Sequence, residues 1–187
     1  MINLEKGQRI SMEKTLQEVG VGLGWDPNTN GSEEFDLDAS AFMLGKNKKT
    51  PNDKFFVFYN NQTSQDGAVV SLGDDRTGGN SADGDDETIT VNLAQVDSSI
   101  EEIVFTASIY DAENRRQNFG QVRNAYIRIY NAKTNEEIAR YDLEEDFSIE
   151  TVVEFGRLYR RNGEWRFEAM GIGSKSSLQS LVAKYVG

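Results

Sequence analysis

The chain has 187 residues, enough for one domain with a sizeable core, and its 31 acidic against 20 basic side chains leave a net charge of −11. That balance argues against nucleic acid and against unaided binding to anionic membranes, and favours cations or positively charged partners. With no Cys and no His, thiol nucleophiles, disulfides, thiolate zinc sites, iron–sulfur clusters and imidazole bases are excluded.

Taken in order, Gly7 to Met12 predicts a short first strand. Val19 to Trp25 alternates large residues with three glycines, a strand pressed against a neighbouring backbone or bulged. Asp26 to Glu34 carries turn chemistry. In Phe35 to Leu44 the alternation sets Phe35, Leu37, Ala39 and Ala41 on one side and Asp36, Asp38 and Ser40 on the other, as in a half-exposed strand. Phe55 to Tyr59 reads as a buried strand, Asn60 to Gly67 turns out of it, and Ala68 to Leu72 leads into an acidic loop. Thr88 to Leu93, Ile103 to Tyr110, Val122 to Tyr130 and Glu137 to Leu143 predict further strands, with a polar loop at Asp111 to Gln121 that has room for one helical turn. Val152 to Arg160 and Glu164 to Met170 flank Asn162-Gly163, a strong hairpin signal, with Trp165, Phe167 and Ala169 facing inwards. Leu178, Leu181, Val182 and Tyr185 fall at helical spacing behind a serine pair. The expectation is a single all-β domain over residues 1–187, an antiparallel β-sandwich closed by a short C-terminal amphipathic helix. The N-terminus shows no apolar h-region and no run reaches the length of a spanning helix, so a cytoplasmic protein is expected.

Gly73 to Glu87 holds six carboxylates (Asp74, Asp75, Asp83, Asp85, Asp86, Glu87), one cation, Arg76, and four glycines. Like charges this close need a cation if the loop is to be compact. Hard oxygens on a pliable backbone suit Ca²⁺ better than the strict octahedron of Mg²⁺; the alternative is a solvated acidic surface loop. Asp36 and Asp38, two apart on a strand, project to one side and could share an ion or line a polar face. Asp26, Asn28, Asn30 and Gly31 match the start of a calcium EF-hand loop, but its twelfth position is Leu37 and strands flank it, so only Asp26 remains as an outlying candidate ligand. Counting from Asp83 fails the same test. Asn60 and Asn61 offer neutral carbonyl oxygens or simply make a turn. Arg115 and Arg116 suit a structural salt bridge better than an anion site. Phosphate-loop, nucleophile-elbow and His-Glu-x-x-His signatures are absent; a carboxylate-only metal-dependent hydrolase stays open as the alternative, as does a lectin-like binder.

A resemblance then follows from Val21-Gly-Leu-Gly-Trp-Asp26, Phe35-Asp-Leu-Asp-Ala-Ser-Ala41, Phe58-Tyr-Asn-Asn61, Gly73-Asp74 with Thr77-Gly78, and Gly84-Asp-Asp-Glu87. Arg116-Gln117 with Phe119-Gly-Gln-Val122, Ala125-Tyr-Ile-Arg128, Arg140-Tyr-Asp-Leu143, Phe155-Gly-Arg-Leu-Tyr-Arg160 and Gly163-Glu-Trp165 extend it over nearly the whole chain. The chain resembles the TerD-type tellurium-resistance and stress-response family. The resemblance implies a non-enzymatic, cytoplasmic β-sandwich holding two Ca²⁺ ions through Asp36, Asp38, Asn60, Asp74, Asp85, Asp86 and Glu87; Asp83, in a loop longer than the family pattern, and Asp26, from its own spacing, are further candidates outside that implied set. It also implies a scaffold role with TerB- and TerC-type partners, TerC being membrane-embedded and able to recruit the protein to the inner face of the membrane.

Overall fold

In a computed structural model, which describes residues 2–26, 35–72, 85–143 and 147–186, the chain builds two six-stranded sheets. The strands are β1 (Ile2–Leu4), β2 (Arg9–Ser11), β3 (Glu18–Gly24), β4 (Leu37–Leu44), β5 (Phe56–Val57), β6 (Val69–Ser71), β7 (Glu87–Asn92), β8 (Glu102–Ile109), β9 (Tyr126–Asn131), β10 (Glu137–Asp142), β11 (Val152–Arg161) and β12 (Glu164–Ser174). A one-turn helix α1 (Ala112–Arg115) follows β8, and α2 (Leu178–Tyr185) closes the chain. The first sheet runs β1-β10-β9-β3-β7-β6 and the second β2-β12-β11-β8-β4-β5. All pairings are antiparallel except β1 on β10. The expected antiparallel sandwich with a C-terminal helix is thus present.

The core between the sheets is made by inward positions at period two, for instance Ile89 and Val91 on β7, Ile127 and Ile129 on β9, Phe105 and Ala107 on β8, and Phe167 and Ala169 on β12. Trp165 is partly buried and packs against this core. The β11–β12 hairpin closes as its dipeptide predicts, with Asn162 and Gly163 both at positive φ (53° and 76°) between the paired Arg161 and Glu164.

Two expectations are corrected. Of the two readings open for the face of β4 bearing Asp38 and Ser40, an ion site or a half-exposed polar face, the half-exposed face does not hold, because every residue of β4 is buried. A third layer covers part of this face: α2 lies on the outside of the second sheet, where Leu181 and Tyr185 pack on Phe42, Leu44, Phe56, Val104 and Val152. In β3, Gly20 and Gly22 do not meet a backbone. A Cβ on Gly20 would strike the Tyr130 ring, and one on Gly22 would sit 2.6 Å from the Asp85 carboxyl carbon. These glycines clear space for two side chains lying across the outside of the first sheet.

Smaller differences concern strand ends. β1 was not anticipated, β2 occupies the middle of the predicted first strand, and β9 begins four residues later than Val122 because Val122 and Ala125 pack into the core from a loop.

Candidate functional site

The ends of β3, β6 and β8 and the starts of β4, β7 and β9 lie at one end of the sandwich, as their register requires: Leu23 faces Glu87, Leu37 faces Ile109, and Gly24 faces Tyr126. Most of the acidic candidates among the described residues gather here. Asp38, Asp86 and Glu87 are 6, 7 and 6 % exposed. A carboxylate so withdrawn from water must be matched by hydrogen bonds or a cation.

Backbone donors supply part of that match. The Trp25 amide donates to Asp86 Oδ2 at 2.9 Å, while the Asp86 amide donates to the Leu23 carbonyl at 2.8 Å. Glu87 Oε2 accepts the amide of Ala39, so a carboxylate of the first sheet closes on the backbone of the second beside Asp38. β5 pairs with β4 only at Ala41 and Phe42, which leaves the Ala39 amide open to this contact. The Asp36 carbonyl accepts from the Tyr110 amide at 2.7 Å, fixing the chain just before β4.

Asn60 lies exposed on the turn closed by the Phe58–Asn61 bridge. Because Val57 pairs with Ala41, β5 leaves the sheet towards the Leu37 end of β4, and the turn is carried towards the same end. Asp26 is tied to the β8–β9 loop: its amide donates to the Arg123 carbonyl at 2.9 Å, and its Oδ2 accepts from the Asn124 amide group at 2.6 Å. Asp74 and Asp83 lie outside the described residues. Among the described residues no group of three acidic side chains comes together as a metal-holding cluster.

Asp85 behaves differently from its two neighbours. Glu87 pairs with the core residue Leu23 and points between the sheets; Asp85 lies over Gly22 on the opposite, outer side. There Arg128 Nη2 donates to Asp85 Oδ2 at 2.6 Å and Arg128 Nε at 3.1 Å, and the Tyr126 hydroxyl donates to Oδ1 at 3.1 Å. The guanidinium rests on the Tyr130 ring, 4.0 Å from its centroid, and Arg140 rests likewise on Tyr126 at 4.2 Å. Burial, reinforced by the Asp85 charge, pushes the Tyr126 hydroxyl far above the usual tyrosine range, so it remains a donor. Burial works against the Arg128 charge, but the Asp85 carboxylate outweighs it and holds the guanidinium above its ordinary pKa. Sequence reasoning missed this anchor, although Tyr126, Arg128 and Tyr130 alternate on the outward positions of β9. Arg115 keeps the structural part expected of it, with Nε 3.8 Å from Asp111 and its guanidinium 5.4 Å from the Tyr110 ring centroid.

The donor set fits a hard cation. Asp36, Asp38, Asp86, Glu87 and Asn60 present only carboxylate and amide oxygens, the chemistry Ca²⁺ prefers. Fold and site together define a β-sandwich that carries withdrawn carboxylates at its loop end. A family model described as the TerD domain matches residues 1–185. Tellurium resistance protein TerD of Serratia marcescens is 49 % identical over 187 residues, covering 98 % of this chain and 96 % of that protein. General stress protein 16U of Bacillus subtilis is 49 % identical over 188 residues, with 98 and 96 % covered. Among solved structures, a homologue of telluride resistance protein (TerD) from Streptomyces coelicolor superposes with a TM-score of 0.72 at 22 % identity, covering 90 % of this chain and 95 % of that one, a likeness of fold. The chain belongs to the TerD family of tellurium-resistance and stress-response proteins. The names of these relatives denote resistance and stress proteins, and no enzyme class. No helix among the described residues is long and apolar enough to cross a membrane.

Proposed function

We propose that this chain is a Ca²⁺-binding, non-enzymatic module that serves as a scaffold in a cytoplasmic stress-response complex linked to tellurite resistance, with TerB- and TerC-type proteins as partners. The observation that carries this reading is the contact of the buried Glu87 carboxylate with the Ala39 amide, next to buried Asp38, which brings acidic residues of both sheets to one end of the sandwich. Asp36, Asp38, Asp86 and Glu87 are the proposed described ligands, Asn60 the carbonyl donor, and Asp74 and Asp83 the contributions of the acidic loop to a pair of ions. Asp26 is the outlying member. Asp85, held by Arg128 and Tyr126, is assigned to anchoring the base of the loop. When bound, Ca²⁺ would neutralise these carboxylates and tie the two sheets together at their loop end. A chain without Cys has no thiol of its own for reducing tellurite, so the contribution to resistance is through binding.

Calorimetric titration of metal-stripped protein tests this. Ca²⁺ is expected to bind at least about tenfold tighter than Mg²⁺, as an irregular oxygen site requires. Equal affinities for the two ions would reduce the site to diffuse charge screening and end the proposal.

A further inference from the structure

Beside α2 lies a cleft of about 570 Å³ that the calcium reading does not use. One wall is aromatic. The Phe42, Phe56 and Phe58 rings form a continuous stack on the outside of the second sheet, with centroids 4.4 and 4.3 Å apart and planes within 7°. Tyr59 meets the last ring edge-on at 5.1 Å. The other wall is Leu178 and Val182, one turn apart on α2, with Val186 just past its end. These residues are distinct from Leu181 and Tyr185, which already bury the helix against the sheet. Leu178, Val182, Val186 and Phe58 all remain half-exposed.

Two apolar walls normally close on each other until side chains interdigitate. Here each is pinned. The Thr50 amide donates to the Tyr185 carbonyl at 2.8 Å and Thr50 bridges Val186, which fixes the C-terminal end of α2. The Asn61 side-chain amide donates to the Phe56 carbonyl at 2.8 Å, which fixes the turn after the aromatic wall. The cleft is therefore preformed, and its volume falls in the range that suits a small organic molecule.

Charge selects the occupant. The chain carries −11 overall, yet residues 45–54 hold four lysines against one aspartate. This segment leads into the cleft, with Lys54 in its lining beside Asp53. Lys49 adds a cation at the C-terminal end of α2, where its Nζ donates to the Lys184 carbonyl. Lys184 itself is matched by Glu154, and Lys48 by Glu102. An apolar slot with positive charge at its edge complements a ligand with an apolar body and an anionic head. We propose that this cleft binds a monomeric anionic amphiphile, its chain or ring between Phe58 and Val182 and its acidic head towards Lys54.

The test uses the full chain, ¹⁵N-labelled, in EDTA so that the outcome is independent of calcium. Dodecanoate is titrated below its critical micelle concentration and followed by amide shifts and calorimetry. Saturable one-to-one binding is expected, with shifts confined to α2 and the Phe56–Asn61 segment. Gln179→Trp, at an exposed position of the cleft, fills the slot and weakens binding by on the order of tenfold or more while leaving the Tm unchanged. Lys54→Glu weakens dodecanoate by on the order of tenfold, and dodecyltrimethylammonium binds wild type more weakly than dodecanoate by a similar factor. Absence of saturable binding, unchanged affinity in both variants, or equal affinity for the ammonium amphiphile overturns the proposal. Shifts produced by phosphatidylglycerol vesicles but not by monomeric dodecanoate overturn it in favour of a membrane contact.

Discussion

Replacing Asp85 by Asn separates an anchor from a metal ligand. If Asp85 were one of several carboxylates crowded around an absent ion, the neutral amide would relieve repulsion and leave the calcium-free protein no less stable. The structure predicts the reverse. Asp85 and Arg128 have side chains only 12 and 15 % exposed, and the guanidinium reaches Asp85 through two nitrogens. Asn keeps the shape and can still accept from Tyr126, but it removes the charge that matches Arg128. Breaking a buried pair costs about 3–5 kcal/mol. Glu137, 3.9 Å from Arg128 Nε, and the Tyr130 ring recover part of that, so a loss of about 2–3 kcal/mol is expected in EDTA. At about 2–4 °C per kcal/mol for a chain of this length, the Tm falls by roughly 4–12 °C. A double-mutant cycle with Arg128→Met, read by thermal and urea unfolding, should return a coupling energy within the range of about 0.5–3 kcal/mol seen for contacting pairs. An Asp85→Asn variant as stable as wild type in EDTA, but deaf to Ca²⁺, would refute the anchor and return Asp85 to the ligand set.

Further outcomes follow from the same geometry. Free Ca²⁺ at about 100 times its Kd should add about 2.7 kcal/mol, a Tm rise of roughly 5–11 °C; Asp38→Asn should lose most of this rise, and a rise kept in full by that variant removes Asp38 from the site. Calcium-loaded protein should show no turnover of phosphoesters, nucleotides or glycosides, and activity abolished by Glu87→Gln would establish the hydrolase instead. Burial alone would raise the pKa of Glu102, but Lys48 and Arg157 outweigh it and hold the carboxyl below its ordinary value. Its contribution to stability is therefore complete above the unfolded-state pKa of about 4.3 and is lost as pH falls through the lower folded-state value; acid unfolding curves of Glu102→Gln should be flatter across that window, and superimposable curves would remove this pair from the acid response. Gly20→Ala drives a methyl into the Tyr130 ring that Arg128 holds in place, and a loss of at least about 1 kcal/mol is expected by urea unfolding, with an unchanged midpoint counting against the outer layer as a packed unit.

What could be read from the residues was what local periodicity encodes. Ile89 and Val91 alternate, Asn162-Gly163 turns, and Leu181 with Tyr185 marks a helical stripe; each of these became the element it suggested. The error on β4 has a different origin. Alternation of Asp38 and Ser40 with Leu37 and Ala39 implies one wet face only if nothing covers it, and the cover is a helix some 140 residues further along the chain. The glycines of β3 misled for the same reason, because their partners, Tyr130 and Asp85, are distant in sequence. At the site, spacing identified the acidic residues as a group but could not divide them. Asp85, Asp86 and Glu87 are consecutive in the chain; the pairing of Glu87 with Leu23 sets Glu87 between the sheets, while Asp85, just before β7 begins, lies over Gly22 on the outside, where Arg128 holds it.

The two shortest N-terminal strands carry a consequence for assembly. Ile2–Leu4 lies along Ala139–Tyr141 of β10 and Arg9–Ser11 along Glu168–Arg166 of β12, so one short segment covers an outer edge of each sheet. Both partners come late in the chain, and closing such long loops precedes any reward from the contacts. Until then β10 and β12 each present a row of unpaired amides and carbonyls, the template on which chains join edge to edge. Three residues on each edge therefore act as a latch against self-association, and a variant shortened past Ser11 would keep nearly all of its core while exposing both rows at once.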